Sequence, residues 1–275
     1  MEIWDFEGIG SAEALRDSLE TYYITNNLLE YVLLIGDFDP DSPGISYPLD
    51  SFTISSYNEQ QDDVTDHPFT YFEGSPETDD GLHPNYFVGR WSISNTSDLI
   101  NIVNKTIQYT KMEYVSSSSY VEDALIVAGS YKTVGSNSTE TFPFNWPVTP
   151  VWTSIWLQER LQNFGYSTVD TAFFYMGNMS STNPTIANTW NNGVGVINYR
   201  GWGNAQGWVK PQFFTTDIDN LEITYDLPIV FSFVCNTGDF GNDFSGSGLD
   251  RCFGEVLTTG GSINNPKGAA AMIGP

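Results

Sequence analysis

The chain has 275 residues, 40% of them hydrophobic and 15% aromatic, which is enough to build the core of one large α/β domain or two subdomains and excludes global disorder. It carries 34 Asp and Glu against 10 Lys and Arg, a net charge of −24. A phosphate backbone or an anionic lipid surface would be repelled, so nucleic acid is excluded as a partner, and the chain has no apolar run long enough to insert in a membrane.

In chain order, Ser11 to Asn27 reads as a helix, with Ser11 as its N-cap and Ala14, Leu15, Leu19, Tyr22 and Tyr23 at helical spacing. Tyr31 to Ile35 reads as a buried parallel strand ended by Gly36-Asp37. Residues 38–85 form a long, acidic, Pro-rich loop, and a loop of that length is usually functional or ordered by a metal. Tyr86 to Arg90 is a strand, and Asp98 to Tyr114 a helix with Leu99, Ile102, Val103, Ile107 and Met112 on or near one face.

The serine run at residues 116–119 suggests a boundary, giving an N-terminal α/β subdomain over 1–118 and a C-terminal one over 119–275. In the second, the strands are Ala124–Ala128, Ser167–Tyr175, Gly195–Tyr199, Leu227–Val234 and Ala269–Ile273. They alternate with helices at Trp152–Phe164, Pro184–Asn192 and Phe253–Thr258. That alternation defines an α/β fold with mainly parallel sheets flanked by helices.

Functional groups in such a sheet sit where strands end. Two strand ends carry chemistry: Asn198-Tyr199-Arg200-Gly201-Trp202-Gly203, and Ser232-Phe233-Val234-Cys235-Asn236-Thr237-Gly238-Asp239-Phe240. A cysteine at the tip of a buried strand can present its thiol to a crevice while the following N–H groups hold an oxyanion; it can equally be a small buried hydrophobe. The two cysteines, Cys235 and Cys252, make no disulfide framework, and neither they nor His67 and His83 show zinc-site spacing. No organic cofactor is expected. The excess of carboxylates would attract calcium or basic peptides, or else simply form a solvated surface.

Taken together, these segments resemble the gingipain family of secreted bacterial cysteine peptidases, which have a caspase-like fold. The resemblance rests on Tyr31–Asp37 (YVLLIGD), on Thr65-Asp66 followed by Tyr86-Phe87-Val88-Gly89-Arg90-Trp91, and on Ile107-Gln108-Tyr109. It continues through Gly201-Trp202-Gly203 on to Trp208, Leu227-Pro228 through Cys235 to Gly238-Asp239-Phe240, and Cys252-Phe253-Gly254-Glu255. It implies Cys235 at the nucleophile position, Gly203 and the Cys235 backbone as oxyanion donors, Asp66 near the substrate pocket and Trp208 lining the cleft. It also implies calcium, for which Asp62, Asp63, Asp79 and Asp80 are candidate ligands, and a secreted or cell-surface location reached by type IX secretion. The chain reads as a piece of a longer multidomain protein that takes a peptide or protein ligand.

One departure governs the functional reading. The position of the family's catalytic histidine is Trp202, whose indole has an N–H donor and no basic lone pair. Val234 stands where a small residue is usual. A free thiol is roughly 3% thiolate at pH 7, so attack is not abolished, but the leaving amine of an amide must still be protonated. The expectation is therefore a catalytically impaired or inactive peptidase domain. The alternatives are an active endopeptidase with a substitute base, for which His67 beside Asp66 is the candidate, and a calcium-dependent surface-binding module.

Overall fold

The computed structural model describes all residues except 6–8, 27, 39–46, 56–61, 76–77, 130–149, 175–181 and 242–248, together with the side chains of residues 79 and 80. The chain folds as two compact units, one of Met1–Thr96 with Phe240–Ser245, the other of Ser97–Asp239 with Gly246–Pro275.

In the first unit, helix α1 (Ala12–Thr25) is started by Ser11, whose Oγ accepts the Ala14 N–H at 3.2 Å. Its inner face, Ala12, Leu15 and Leu19, packs with Leu34, Leu49, Phe69 and Tyr86. Strands β1 (Tyr31–Ile35), β2 (Phe52–Ser55) and β3 (Asp62–Thr65) precede the single-turn helix α2 (Asp79–Leu82) and strand β4 (Phe87–Trp91). β1 and β4 pair in parallel. Only one face of β1 is covered: Val32 and Leu34 point inward, while Tyr31, Leu33 and Ile35 are exposed and Tyr31 stacks on Phe87. The strand is therefore half-buried, not buried on both faces as its apolar run suggests. The long acidic segment is likewise more structured than a loop, since β2 and β3 form an antiparallel hairpin within it.

In the second unit, helix α3 (Thr96–Lys111) leads to β5 (Asp123–Gly129), α4 (Pro150–Phe164), β6 (Thr168–Phe174), α5 (Pro184–Asn191) and β7 (Val196–Arg200). Three short strands follow, β8 (Gly203–Asn204), β9 (Gly207–Val209) and β10 (Gln212–Phe214), then α6 (Thr215–Asp219) and β11 (Ile229–Phe233). The chain ends with α7 (Phe253–Thr259), β12 (Gly261–Ser262), β13 (Asn265–Pro266) and β14 (Ala271–Ile273). The central sheet has the order β14-β11-β7-β5-β6 and every pairing in it is parallel. One face of it is closed by Trp190, Trp208, Phe213, Phe253 and Leu257 over Leu125, Val127, Ile197, Tyr199 and Val230.

The units divide at Thr96, not at the serine run. The reason is α3, whose buried face is mostly polar, with Asp98, Asn101 and Lys105 beside Ile102. Asn101 Nδ2 donates to Thr259 O and Gly261 O, and Lys105 Nζ donates to Leu257 O and Thr258 O. Asp98 pairs with Arg251 at 3.1 Å. These bonds go to carbonyls at and just beyond the end of α7, so α3 belongs to the second unit. Of the apolar positions read from the sequence, Ile102 is buried on this face, whereas Ile107 is exposed.

Candidate active site

β7 and β11 are neighbours and run in parallel with Phe233 opposite Arg200, so both end at one level of the sheet. The segments that leave them are Gly201–Gly203 and Val234–Cys235. The two meet. A Cβ on Gly203 would lie 2.7 Å and 2.9 Å from the methyl carbons of Val234, so only glycine permits this approach. The structure thus brings Gly203, which follows Trp202, beside the residue that precedes Cys235.

Each loop is held from below. Tyr199 OH lies 2.6 Å from Trp202 O and 3.1 Å from Lys210 O, and the Val209 N–H donates to Trp202 O at 2.8 Å. Burial pushes the Tyr199 phenol well above its usual range, which keeps it a neutral donor. Gly201 is pinned by the same phenol, since a Cβ there would sit 2.6 Å from Tyr199 OH. With its carbonyl fixed, Trp202 extends outward and is 56% exposed.

Cys235 is a free, exposed cysteine. The turn after it passes through the left-handed region at Asn236, φ 57°, a conformation that asparagine tolerates better than most residues. The Gly254 N–H donates to Thr237 O at 2.8 Å and the Gly238 N–H to Pro275 O at 2.5 Å, which fix the far side of the turn. Cys252 differs in every respect. It is buried, its N–H donates to Glu255 Oε2 at 2.8 Å, and burial raises its thiol far above the ordinary range.

The remaining expected site residues fall elsewhere. Trp208 does not line a cleft: it is fully buried, stacked on Tyr199 with centroids 4.5 Å apart, and donates from Nε1 to Ser232 Oγ at 3.0 Å. Asp66 belongs to the first unit and is engaged at both oxygens by Arg90, at 2.7 Å each, and by Ser51 Oγ at 2.7 Å. A carboxylate so occupied is not free to receive a basic substrate residue. His67 is exposed, with Nε2 2.9 Å from Gly81 O and its ring edge against Tyr71, and His83 is exposed too. Asp62 and Asp63 are consecutive on β3, so their side chains point to opposite faces and cannot chelate one ion together. The side chains of Asp79 and Asp80 lie outside the described residues. Among the described residues no three His, Cys, Asp or Glu side chains gather as a metal site.

Sequence reasoning missed Tyr199, Ser232 and Thr237, which hold the two loops in place. Ser232 carried a usable signal: a lone hydroxyl inside the apolar run Leu227–Val234 must find a partner once buried.

A parallel α/β sheet presenting a cysteine at one strand end, beside a glycine loop from the next strand, is the arrangement of a cysteine peptidase of the caspase-like class. Residues 2–275 match the profile of Peptidase family C25, and the chain belongs to that family. It is 24% identical to Gingipain R2 of Porphyromonas gingivalis over 187 residues, 68% of this chain and 23% of that protein. It is 27% identical to Lys-gingipain of the same organism over 205 residues, 71% of this chain and 10% of that protein. The crystal structure of the Arg-specific cysteine proteinase gingipain R superposes with a TM-score of 0.69 at 22% identity, over 97% of this chain and 54% of that one. A complex of the pro- and mature domains of Porphyromonas gingivalis RgpB superposes at 0.70, over 99% of this chain and 56% of that one. The chain therefore has the expected caspase-like fold, and it spans between 10% and 23% of the length of these curated relatives.

Proposed function

We propose that this gingipain-like cysteine peptidase domain has lost amide hydrolysis, wholly or nearly so, because Trp202 occupies the place of the general base, and that it acts by binding a peptide or protein ligand at the strand ends of its second unit. The observation that carries the reading is the meeting of the two loops: Gly203, which follows Trp202, abuts Val234, which precedes the exposed Cys235. By the family resemblance the base position is taken by the indole of Trp202.

The chemistry follows from what an indole lacks. Cys235 Sγ would attack a substrate carbonyl carbon as thiolate, forming a C–S bond and moving the carbonyl electron pair onto oxygen. Collapse of that oxyanion must break the C–N bond, and the nitrogen must gain a proton to leave. Trp202 offers an N–H that is not acidic and no lone pair to collect the thiol proton. The tetrahedral adduct would return to thiol and intact peptide. Losing one member of such a constellation costs on the order of 10⁴ to 10⁶ in rate. What remains is an exposed aromatic ring, Trp202, that can stack on a ligand. We place the protein outside the cell or on its surface, by its kinship with the gingipains.

The test is cleavage of a mixed peptide library, with calcium and a reductant, by the native chain, Cys235→Ala and Trp202→His. The expected result is no turnover by the native chain and measurable turnover by Trp202→His. Turnover by the native chain that disappears in Cys235→Ala would overturn the reading and assign the chain as an active endopeptidase with another base.

A further inference from the structure

The two loops of the candidate site are joined underneath by a chain of three buried side chains. Trp208 Nε1 donates to Ser232 Oγ at 3.0 Å, Ser232 Oγ lies 2.9 Å from Thr237 Oγ1, and Thr237 Oγ1 donates to Val234 O at 3.2 Å. All three side chains are fully buried. The direction of the chain is fixed at both ends, because an indole N–H can only donate and a carbonyl can only accept. The Ser232 hydroxyl therefore donates to Thr237 and the Thr237 hydroxyl to Val234.

Its termini matter. Trp208 on β9 pairs directly with Gly203 on β8, so one end belongs to the Trp202 loop. Val234 and Thr237 flank Cys235-Asn236, so the other end closes the turn that presents the thiol. We propose that Trp208, Ser232 and Thr237 are positioning residues of the site: they set the conformation of the Cys235 turn and couple it to the Trp202–Gly203 loop. The proposal deepens the reading of Cys235 as the site thiol and rests on it. None of the three would touch a ligand. They act through the Val234 carbonyl and the turn at the left-handed Asn236. Because all three are fully buried, a relay that loses one hydroxyl leaves its neighbours unpaired, so the turn would shift to repair them.

The experiment measures the alkylation rate of Cys235 by iodoacetamide between pH 6 and 9, site by site by mass spectrometry. It compares the native chain with Thr237→Val, Thr237→Ser and Ser232→Ala, with folding checked by circular dichroism. Thr237→Val and Ser232→Ala should each change the rate by about 5-fold or more, in the same direction, and displace its pH profile. Thr237→Ser, which keeps the hydroxyl, should match the native chain, and the double variant Ser232→Ala/Thr237→Val should do no more than either single change. A native rate and profile in Thr237→Val, or failure of Thr237→Ser to rescue, overturns the proposal. Should Thr237→Val not fold, the native chain supplies the decision. Alkylating Cys235 should move the Trp208 indole N–H resonance, and an unmoved resonance refutes the coupling. Peptide cleavage is not read in any arm, so loss of the peptidase reading and loss of this one are separable.

Discussion

Arg90 grips Asp66 at two points, Nε to Oδ2 and Nη2 to Oδ1, each at 2.7 Å, and its remaining nitrogen donates to Gly36 O and Leu49 O. The Phe240 ring lies against the same guanidinium, 4.7 Å from its carbon. This cluster ties the end of β1, the entry to β2 and the exit of β3 into one structure. Asp66 is thus a structural carboxylate of the first unit.

The consequence is a stability phenotype. The Arg90 side chain is 5% exposed, so Asp66→Asn leaves a nearly buried cation without its counter-charge. Such a break costs about 3 kcal/mol or more. Urea unfolding should show that loss, while any preference among peptide ligands stays unchanged. Altered ligand preference at native stability would return Asp66 to a binding role.

Lys105 makes a second prediction, about pH. Burial lowers its ammonium from 10.5 to about 7, while its two hydrogen bonds go to the carbonyls of Leu257 and Thr258. A neutral amine has two N–H donors, so deprotonation keeps both bonds. The folded chain holds this proton less tightly than the unfolded chain. The cost of burying the charge is complete below pH 7, shrinks as pH rises and vanishes above about 10.5. Stability relative to Lys105→Met should therefore increase from pH 7 to pH 9.5 in paired urea titrations. A difference that stays constant with pH would mean that Lys105 is charged throughout.

The cysteines give a third. Cys235 is exposed, whereas Cys252 is buried and its thiol is held protonated. A chromogenic disulfide at pH 7.5 should label one thiol per chain promptly and the second only after denaturant is added. Cys235→Ala should abolish the prompt phase. Two prompt thiols in the native chain would show that the Cys252 end of α7 opens readily.

The sequence carried the parallel sheet well, because β5, β7 and β11 are apolar runs with strand-like composition punctuated by glycine or polar turns. It carried the Cys235 and Trp202 loops for the same reason: both follow such runs. It did not reveal β8, β9 and β10, whose two or three residues are too few for any periodicity. Nor did it reveal the inner face of α3, because a stripe of Asp98, Asn101 and Lys105 reads as the solvent side until α7 presents carbonyls to it. Trp208, which the resemblance put in the cleft, lies in the core instead, since an aromatic ring suits both and here it is fully buried against Ser232.

The contact between Gly203 and Val234 yields the last prediction. A Cβ on Gly203 would stand 2.7 Å from Val234 Cγ1 and 2.9 Å from Cγ2, closer than carbon atoms approach, with Gly207 O tight against it at 3.0 Å. Gly203→Ala should therefore destabilise the chain by about 1–3 kcal/mol through overpacking, and should displace the Cys235 turn with it. Both offending carbons at the shorter distances are Val234 methyls, so Val234→Ala removes the main clash. The double variant Gly203→Ala/Val234→Ala should recover part of the stability and of the Cys235 alkylation rate, as an interaction energy of opposite sign to the single costs in a double-mutant cycle. Strict additivity of the two changes would mean that the loops do not touch, and the basis for assigning them to one site would fall.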